Sequence, residues 1–164
     1  MSNEKEGLTA QEILEIEEMG NAAAEDGSTK EFLTFVSDGL TYGVPTEHVI
    51  EIITNHTIRP LPLVPDYVQG IINLRGQIIP IIDIRLRLGK PFIEYSSTTC
   101  IIILDIGSDR VGVCVDSVSQ VLPLDLSESS PVPLEDRQHL ATSMISVEDG
   151  KVVLLLNCSA ITES

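Results

Sequence analysis

Residues 68–84 read VQGIINLRGQIIPIIDI and place the turn Asn73-Leu-Arg-Gly76 between two apolar runs, Val68–Leu74 and Gln77–Ile84. Both runs are rich in the β-branched residues Ile and Val, which favour strands. The Gly in the turn suits the positive φ angle that a tight hairpin requires. The stretch therefore predicts two antiparallel strands. Pro80 cannot donate a ladder hydrogen bond, so it predicts an edge strand or a bulge at that point.

Short apolar runs separated by turn signals continue on both sides of this hairpin. Turn segments such as Ser37-Asp-Gly39 and Gly107-Ser-Asp109 separate further pairs of runs. Many short strands at near-regular spacing are typical of a barrel or a sandwich, so we expect an all-β fold with a minor helix. Helical turns are expected only at Leu86–Lys90 and Leu134–His139. The other runs predicted as strands are Phe32–Val36, Tyr42–Val44, Val49–Ile53, Cys100–Ile106, Arg110–Val115, Val118–Leu122, Met144–Val147 and Lys151–Cys158.

The strand pattern repeats along the chain. Phe32–Ile53 aligns without a gap with Ile101–Leu122, and the glycines and turns of the two segments coincide. Farther along, Gly76-Gln-Ile-Ile79 aligns with Gly150-Lys-Val-Val153. Strand alternation alone produces some similarity of this kind, but matched glycines are harder to obtain by accident. We therefore infer an internal duplication.

The duplication divides the folded part of the chain into two similar units, at roughly residues 30–90 and 98–160. We call them repeat one and repeat two; the chain could cross between them. Each is too small for a generous core of its own, so the two are expected to pack together as one cooperative body. The folded domain as a whole is expected over residues 29–162.

The first 28 residues differ in composition from the rest, because they hold eight acidic residues against one Lys. Thr9-Ala-Gln-Glu12 fits a helix capping box, and Ile13, Ile16 and Met19 recur on one helical face. A helix with so few other large apolar residues would be marginal on its own. A mobile acidic tail is therefore expected over residues 1–28, with a docked helix as the alternative.

Composition narrows the class of protein. The net charge is −15 over 164 residues, which disfavours nucleic acid and anionic membranes as partners. No apolar signal-peptide core is present, and no apolar run approaches the ~20 residues that span a bilayer. We therefore expect a cytoplasmic protein without direct membrane insertion. Cys100, Cys114 and Cys158 lie in or beside apolar runs without CxxC spacing, as buried free thiols commonly do.

Motifs of enzymatic chemistry are missing from the sequence. It contains no GxSxG elbow, Walker-type phosphate loop or HExxH helix. His48, His56 and His139 are scattered without a cysteine or carboxylate cluster at ligand spacing, so no metal, cofactor or catalytic residue is predicted. An enzyme whose carboxylates come together from distant positions stays an alternative.

The two repeats differ where function is most expected. Arg75 aligns with Asp149, and Glu51 aligns with Gln120, so only repeat one carries both members of an opposite-charge pair. A hairpin turn does not require Arg, whose planar fork suits carboxylates. We expect the pair at the rim of a groove, with little effect on folding. The alternative is a solvated turn Arg and an exposed strand Glu.

A second asymmetry is a cationic stripe between Val68 and Lys90. The stripe carries three arginines and Lys90 against one acid, Asp83, on an otherwise acidic chain. Such a stripe could meet an acidic partner surface. Alternatively, it could be a solvated helix end, where cations are favoured.

Several blocks of this sequence together resemble one family, the CheW-like domains. The resemblance runs from about Lys30 to Ile161, and the Asn-Leu-Arg-Gly block followed by an apolar run and Asp-Ile-Arg is its most specific part. The blocks are Glu31-Phe-Leu-Thr-Phe35, Tyr42-Gly43-Val44, Val49-Ile-Glu-Ile52, Gly70–Arg85, Val111-Gly-Val-Cys-Val-Asp116 and Val118-Ser-Gln-Val-Leu122.

The resemblance implies two side-by-side SH3-like five-stranded β-barrels without an active site. It implies a non-catalytic adaptor that couples methyl-accepting chemotaxis receptors to the histidine kinase CheA. The partners would be the CheA regulatory domain, itself CheW-like, and the cytoplasmic tip of a chemoreceptor, which a groove between the barrels receives. The chain would be cytoplasmic and recruited to membrane receptor arrays. The alternative in the same class is a CheW-fold scaffold in another receptor or pilus array.

The resemblance also implies a set of receptor-coupling residues. The positions of this chain that match them are Val49, Glu51, Arg75, Val118 and Val121. Val49 and Val118 are also repeat mates, which fits a groove lined from both units. Residues of the kinase interface are not assigned.

Overall fold

Two β-sheets form the part of the chain that the computed structural model describes, namely Ala10 and residues 28–54, 56–132 and 140–161. This confirms the all-β fold class, with the two sheets as the two SH3-like barrels. The strands are β1 (Thr29–Ser37), β2 (Leu40–Pro45), β3 (Val49–Ile53), β4 (Val68–Leu74), β5 (Gln77–Asp83), β6 (Cys100–Ile106), β7 (Asp109–Val115), β8 (Ser117–Asp125), β9 (Ser130–Pro131), β10 (Ala141–Ser146) and β11 (Val152–Leu156).

The strand order is equivalent in the two barrels. Barrel A has the order β8-β1-β2-β11-β10-β9, and barrel B has the order β3-β6-β7-β5-β4. The two-residue β9 is an addition to an otherwise five-stranded pattern. In each barrel one pair of strands is parallel, β2 with β11 and β5 with β7, and the other pairs are antiparallel.

The repeats of the sequence do not coincide with the barrels. Barrel A takes β1 and β2 from repeat one but β8, β10 and β11, with the additional β9, from repeat two. Barrel B takes β6 and β7 from repeat two but β3, β4 and β5 from repeat one. The chain therefore crosses between the barrels, and each barrel is completed by three strands of the other repeat.

The hairpin of β4 and β5 forms as its sequence predicts. Leu74 pairs with Gln77, which leaves a two-residue turn of Arg75 and Gly76. Both turn residues have positive φ, 51° and 86°, the combination that a tight hairpin turn needs. The Asn73 side chain accepts a 3.0 Å hydrogen bond from the Gly76 N–H. Arg75 is thus the non-glycine residue that this turn holds in the left-handed conformation.

Pro80 does not mark an edge strand. β5 lies between β4 and β7, so an edge strand is wrong, and the bulge of the β4–β5 pair lies between Val68 and Gly70 and not at Pro80. The ladder between β5 and β7 begins only at Ile81, which pairs with Gly112. Pro80 is therefore tolerated because it precedes the first residue of β5 that has a partner on that side.

One large hydrophobic cluster joins the two barrels. Its members include repeat mates from opposite sheets, such as Leu33 of β1 with Ile102 of β6, and Val44 of β2 with Val113 of β7. Each of these four side chains is at most 1% exposed. Full burial of such a side chain stabilises by ~1.5–3 kcal/mol. The shared cluster, as we call it, therefore stabilises both barrels at once.

Each barrel also has an interior cluster of its own. Ile72, Ile79 and Ile103 belong to the interior of barrel B. Phe32 and Val153 belong to that of barrel A. Along β6, Ile101 and Ile103 face the interior of barrel B while Ile102 and Leu104 face the shared cluster. The strands are therefore apolar on both faces, which explains the unbroken apolar runs of the sequence.

Two short helices follow β5 and β11. α1 (Ile84–Arg87) begins two residues before the expected Leu86, because Asp83 Oδ1 accepts hydrogen bonds from the Arg85 and Leu86 N–H groups at 2.9 and 3.3 Å. α2 (Cys158–Ile161) was not predicted, since the run Lys151–Cys158 reads as a strand, whereas β11 ends at Leu156.

Some expectations fall outside the described residues. These are the helical turn at Leu134–His139 and nearly all of the tail, of which the structure describes Ala10 and Ser28. The cysteines agree with the expectation of free thiols, since Cys114 and Cys158 are buried and Cys100 is half-buried.

We predict that Gly70→Ala strongly destabilises the fold. Gly70 has a φ of 143°, and a Cβ there would lie 2.0 Å from the Arg59 carbonyl oxygen. That carbonyl accepts a 2.8 Å hydrogen bond from the Ile71 N–H, which joins the chain after β3 to β4. The loss should be on the order of 2 kcal/mol or more in chemical unfolding.

The matched control is Gly107→Ala, at a turn glycine with a φ of 64° and open space around its Cβ position. It should cost about 1 kcal/mol, since only the backbone conformation is disfavoured. Equal losses in the two variants would show that the contact of Gly70 with Arg59 does not matter.

Candidate functional site

Glu51 and Arg75 form the opposite-charge pair that the comparison of the repeats indicates. Two hydrogen bonds connect them: Arg75 Nη1 donates to Glu51 Oε1, and Arg75 Nη2 donates to Glu51 Oε2 at 3.1 Å. Hydrogen bonding to Glu51, with its charge, raises the pKa of Arg75. The two terminal nitrogens of the guanidinium therefore bind the two oxygens of a single carboxylate.

The two partners differ in exposure. The side chain of Glu51 is 7% exposed, whereas that of Arg75 is 68% exposed. The alternative of an exposed strand Glu was therefore wrong. A buried carboxylate is costly without its partner, and this burial favours a larger effect of the pair on folding than a rim ion pair has.

The ion pair bridges the two edges of the sheet of barrel B. Glu51 lies on β3 and Arg75 in the β4–β5 turn, and β3 and β4 are the first and last strands of that sheet. Arg59, in the chain that follows β3, pairs with Ile71 on β4. These two contacts close barrel B along one side.

The three valines of the predicted receptor site all contact the shared cluster. Val49 is a member of the cluster and is 7% exposed. Val118 and Val121 are partly buried and pack against it. Opposite them on β1 lie Phe35 and Leu33, which pair with Val118 and Val121 respectively. The structure therefore brings the valines from both repeats to one cluster, with Val118 and Val121 the more accessible.

A bulge positions Val49 and Glu51 on β3. The pairing of β3 with β6 shifts register between these residues, which pair with Leu104 and Ile103. Strict alternation would place both on one face. With the bulge, Val49 shares its cluster with Ile52, and Glu51 is directed towards Arg75.

The cationic stripe is engaged within the chain itself. Arg85 is 9% exposed and donates to both carboxylate oxygens of Asp116, at 3.1 and 2.8 Å, and to Asp38 at 3.0 Å. Lys90 lies 3.5 Å from the second oxygen of Asp38. Arg87 donates at 2.9 Å to the Ala160 carbonyl in α2. Contact with an acidic partner surface is therefore not favoured for these three residues, whereas Arg75 of the same stripe is largely exposed.

The network around Arg85 connects the two barrels electrostatically. Asp38 lies in the β1–β2 turn of barrel A, whereas Arg85 follows β5 of barrel B. Partial burial acts to raise the pKa of Asp116, but hydrogen bonds from Arg85 and from the Asp38 N–H outweigh it, so this pKa is lowered. The carboxylate therefore stays ionised beside the guanidinium. The sequence marks Asp116 as an acid but does not identify its partner.

A partly buried polar contact holds the segment before β6. The Tyr95 hydroxyl donates at 2.8 Å to Oδ2 of Asp83, the residue that caps α1. Burial is the main cause that raises the pKa of Tyr95, and burial likewise raises the pKa of Cys114 to about 12 and of Cys158 to about 12. The thiols are therefore protonated and poorly nucleophilic.

Metal-binding clusters and membrane-spanning helices are absent from the part of the chain that the structure describes. Over 28–54, 56–132 and 140–161, no group of three or more His, Cys, Asp or Glu side chains could hold a metal ion. In the same segments, no helix has the length and apolarity to cross a membrane.

Comparisons with known proteins identify relatives over most of the chain. The family model of the CheW-like domain matches residues 31–164. The chemotaxis protein CheW of Klebsiella aerogenes is 36% identical over 104 residues, and the alignment covers 63% of this chain and 63% of that protein. Protein FrzA of Myxococcus xanthus is 27% identical over 145 residues, which cover 87% and 91% of the two chains.

A solved structure has the same fold. The crystal structure of the scaffolding protein TtCheW from Thermoanaerobacter tengcongensis superposes with a TM-score of 0.77 at 29% identity. The superposition covers 82% of this chain and 93% of that one.

We predict that Arg75→Ala lowers the melting temperature, because it leaves the Glu51 carboxylate buried without its partner. The double variant Arg75→Ala with Glu51→Gln should recover part of the loss, since the remaining side chain is neutral. Thermal unfolding followed by circular dichroism measures both.

Arg110→Ala is the matched control, since Arg110 is an exposed arginine of the same barrel whose Nη1 donates to the neutral Gln77 at 2.6 Å. It should leave the melting temperature nearly unchanged. A melting temperature of Arg75→Ala equal to that of Arg110→Ala would contradict a structural role for the ion pair.

Proposed function

The chain belongs to the family of CheW-like domains, and we propose that it is a non-catalytic adaptor that couples methyl-accepting chemotaxis receptors to the histidine kinase CheA. The observation that carries the proposal is the family match over residues 31–164, which includes both barrels. The structural likeness to a scaffolding protein supports it. The adaptor would work in the cytoplasm, recruited to membrane receptor arrays.

The proposed receptor site is an inter-barrel groove above the shared cluster. Val118 and Val121 supply partly exposed apolar contacts there, and Val49 supports them from the other repeat. Glu51 and Arg75 follow on the same side of barrel B, with the guanidinium largely exposed. An exposed cation and a patch of valines suit the cytoplasmic tip of a receptor, where apolar residues and carboxylates can both be engaged.

The proposed kinase contact is an exposed apolar surface. Leu63 is fully exposed and has a φ of 59°, and Leu61 in the same loop is 39% exposed. An apolar side chain held at positive φ on the surface does not stabilise the isolated chain. Because the regulatory domain of CheA is expected to be CheW-like, the contact would join one barrel end to another. We assign this loop, between β3 and β4, to the kinase.

A second candidate is a CheW-fold scaffold in another receptor or pilus array. It rests on the same family match over residues 31–164, which any scaffold built on this fold would share. Both candidates would bind the same class of kinase but different receptors. A test of binding to a chemoreceptor tip therefore distinguishes them.

We predict that Val118→Ser uncouples the receptor but keeps the kinase bound. The adaptor, CheA and receptor signalling domains are combined, and receptor-dependent kinase activity is measured by autophosphorylation. Loss of the Val118 methyl contacts should weaken receptor control roughly tenfold, since central apolar contacts dominate such interfaces. Binding to the isolated regulatory domain should stay within about twofold.

Val152→Ser is the control, because Val152 is an exposed valine of barrel A that belongs to none of the predicted sites. It should change neither receptor control of the kinase nor binding to the regulatory domain. Full receptor control in the Val118 variant would contradict the assigned site. Failure of the unaltered adaptor to bind CheA at high micromolar concentration would contradict the function itself.

A further inference from the structure

Barrel A has an open cleft where barrel B is closed. The cleft has a volume of about 580 Å³ and lies between β8 and the β10–β11 hairpin, so we call it the β8 cleft. Leu122 and Leu124 of β8 and Ile145 and Val147 on the opposite side supply apolar walls. A space of this size accommodates one or two side chains of a peptide or a small ligand.

The cleft is open because repeat two lacks the ion pair of repeat one. Gln120, which lines the cleft, is the repeat mate of Glu51. The β10–β11 turn carries no arginine at the position that corresponds to Arg75. In barrel B these two positions hold the closing ion pair. The β8 cleft therefore occupies in barrel A the place that the ion pair closes in barrel B.

The rim of the cleft is predominantly acidic. Asp125, Glu128 and Glu148 line it against one cation, Lys151. Glu128 and Glu148 are exposed. Hydrogen bonds from Ser127 and Ser28 lower the pKa of Asp125, so its carboxylate is ionised at neutral pH. An apolar cleft with an anionic rim is complementary to a cationic segment.

The N-terminal segment joins the barrel beside this rim. Ser28 Oγ donates to Asp125 Oδ1 at 2.8 Å, and the Leu126 N–H donates to the Ser28 carbonyl at 3.0 Å. The segment up to Ser28 carries eight acidic residues against one Lys. The same charge disfavours that segment as the occupant of an acidic cleft.

We propose that the β8 cleft docks a cationic segment of a partner protein that inserts an apolar side chain between Leu122 and Ile145. Lys or Arg residues that flank the inserted side chain pair with Glu128 and Glu148 at the rim. A second copy of this chain is disfavoured, because each copy carries a net charge of −15. The cleft is separate from the valines and the ion pair of the proposed receptor site.

The test uses the full chain and a short fluorescent peptide in which Leu or Ile alternates with Lys or Arg. Fluorescence anisotropy measures its affinity, and methyl NMR of the protein reports where it binds. The peptide should shift the methyl signals of Leu122, Ile145 and Val147. A matched peptide with Glu in place of Lys and Arg should not bind, and added salt should weaken the binding of the basic peptide.

The deciding variant is Glu128→Lys with Glu148→Lys. It should lower the affinity for the peptide by tenfold or more, on the order seen for paired charges at interfaces. The control is Asp66→Lys with Asp105→Lys, two exposed acids of barrel B with the same total change of charge. The control should keep affinity within about twofold. Both variants change surface residues only, so both should fold.

Several results would overturn the proposal. Equal weakening in the two variants would mean that only net charge attracts the peptide. Unshifted methyl signals in the cleft would place the peptide elsewhere. Contacts from the N-terminal segment to Ile145 in the free protein, or a dimer by sedimentation that buries these methyl groups, would assign the cleft to another occupant.

Discussion

The exchange of strands between the two repeats is the constraint on which the rest of the structure depends. Each barrel is built on two strands of one repeat and completed by three strands of the other. The shared cluster follows from this arrangement, because it contains side chains of both sheets, such as Leu33 and its mate Ile102. Neither barrel can form without both halves of the chain, so the pair is stabilised as one unit.

Local sequence patterns predict the strands but not their partners. The hairpin around Asn73-Leu-Arg-Gly76 could be predicted because its turn residues and apolar runs are adjacent in the chain. Strand exchange could not, since β-branched runs favour a strand in either barrel equally. The burial of Glu51 was missed because it depends on a bulge in β3, and alternation alone gives no signal of a bulge. Of the site, the Glu51–Arg75 pair could be found from the repeat comparison, whereas the partners of Arg85 could not.

Because the fold is duplicated, a comparison of its two barrels identifies the features that are candidates for function. The same five strand positions occur in both barrels, so whatever differs between them is not required by the architecture. In barrel B the bidentate pair of Arg75 and Glu51 joins the sheet edges beside the valines of the proposed receptor site. In barrel A the equivalent position is an open, acidic cleft. We infer that the two barrels of this adaptor serve different contacts while the shared cluster keeps them in one fixed arrangement.

Native-state hydrogen exchange on Leu33→Ala tests the shared cluster most directly. Leu33 is 1% exposed and lies on β1 of barrel A, so truncation should cost about 3 kcal/mol. Because the barrels are stabilised together, the slowest amides of β6 in barrel B should lose the same free energy of opening as those of β1. Amides of β6 that keep their full protection in this variant would show that the barrels unfold independently, and would contradict the account.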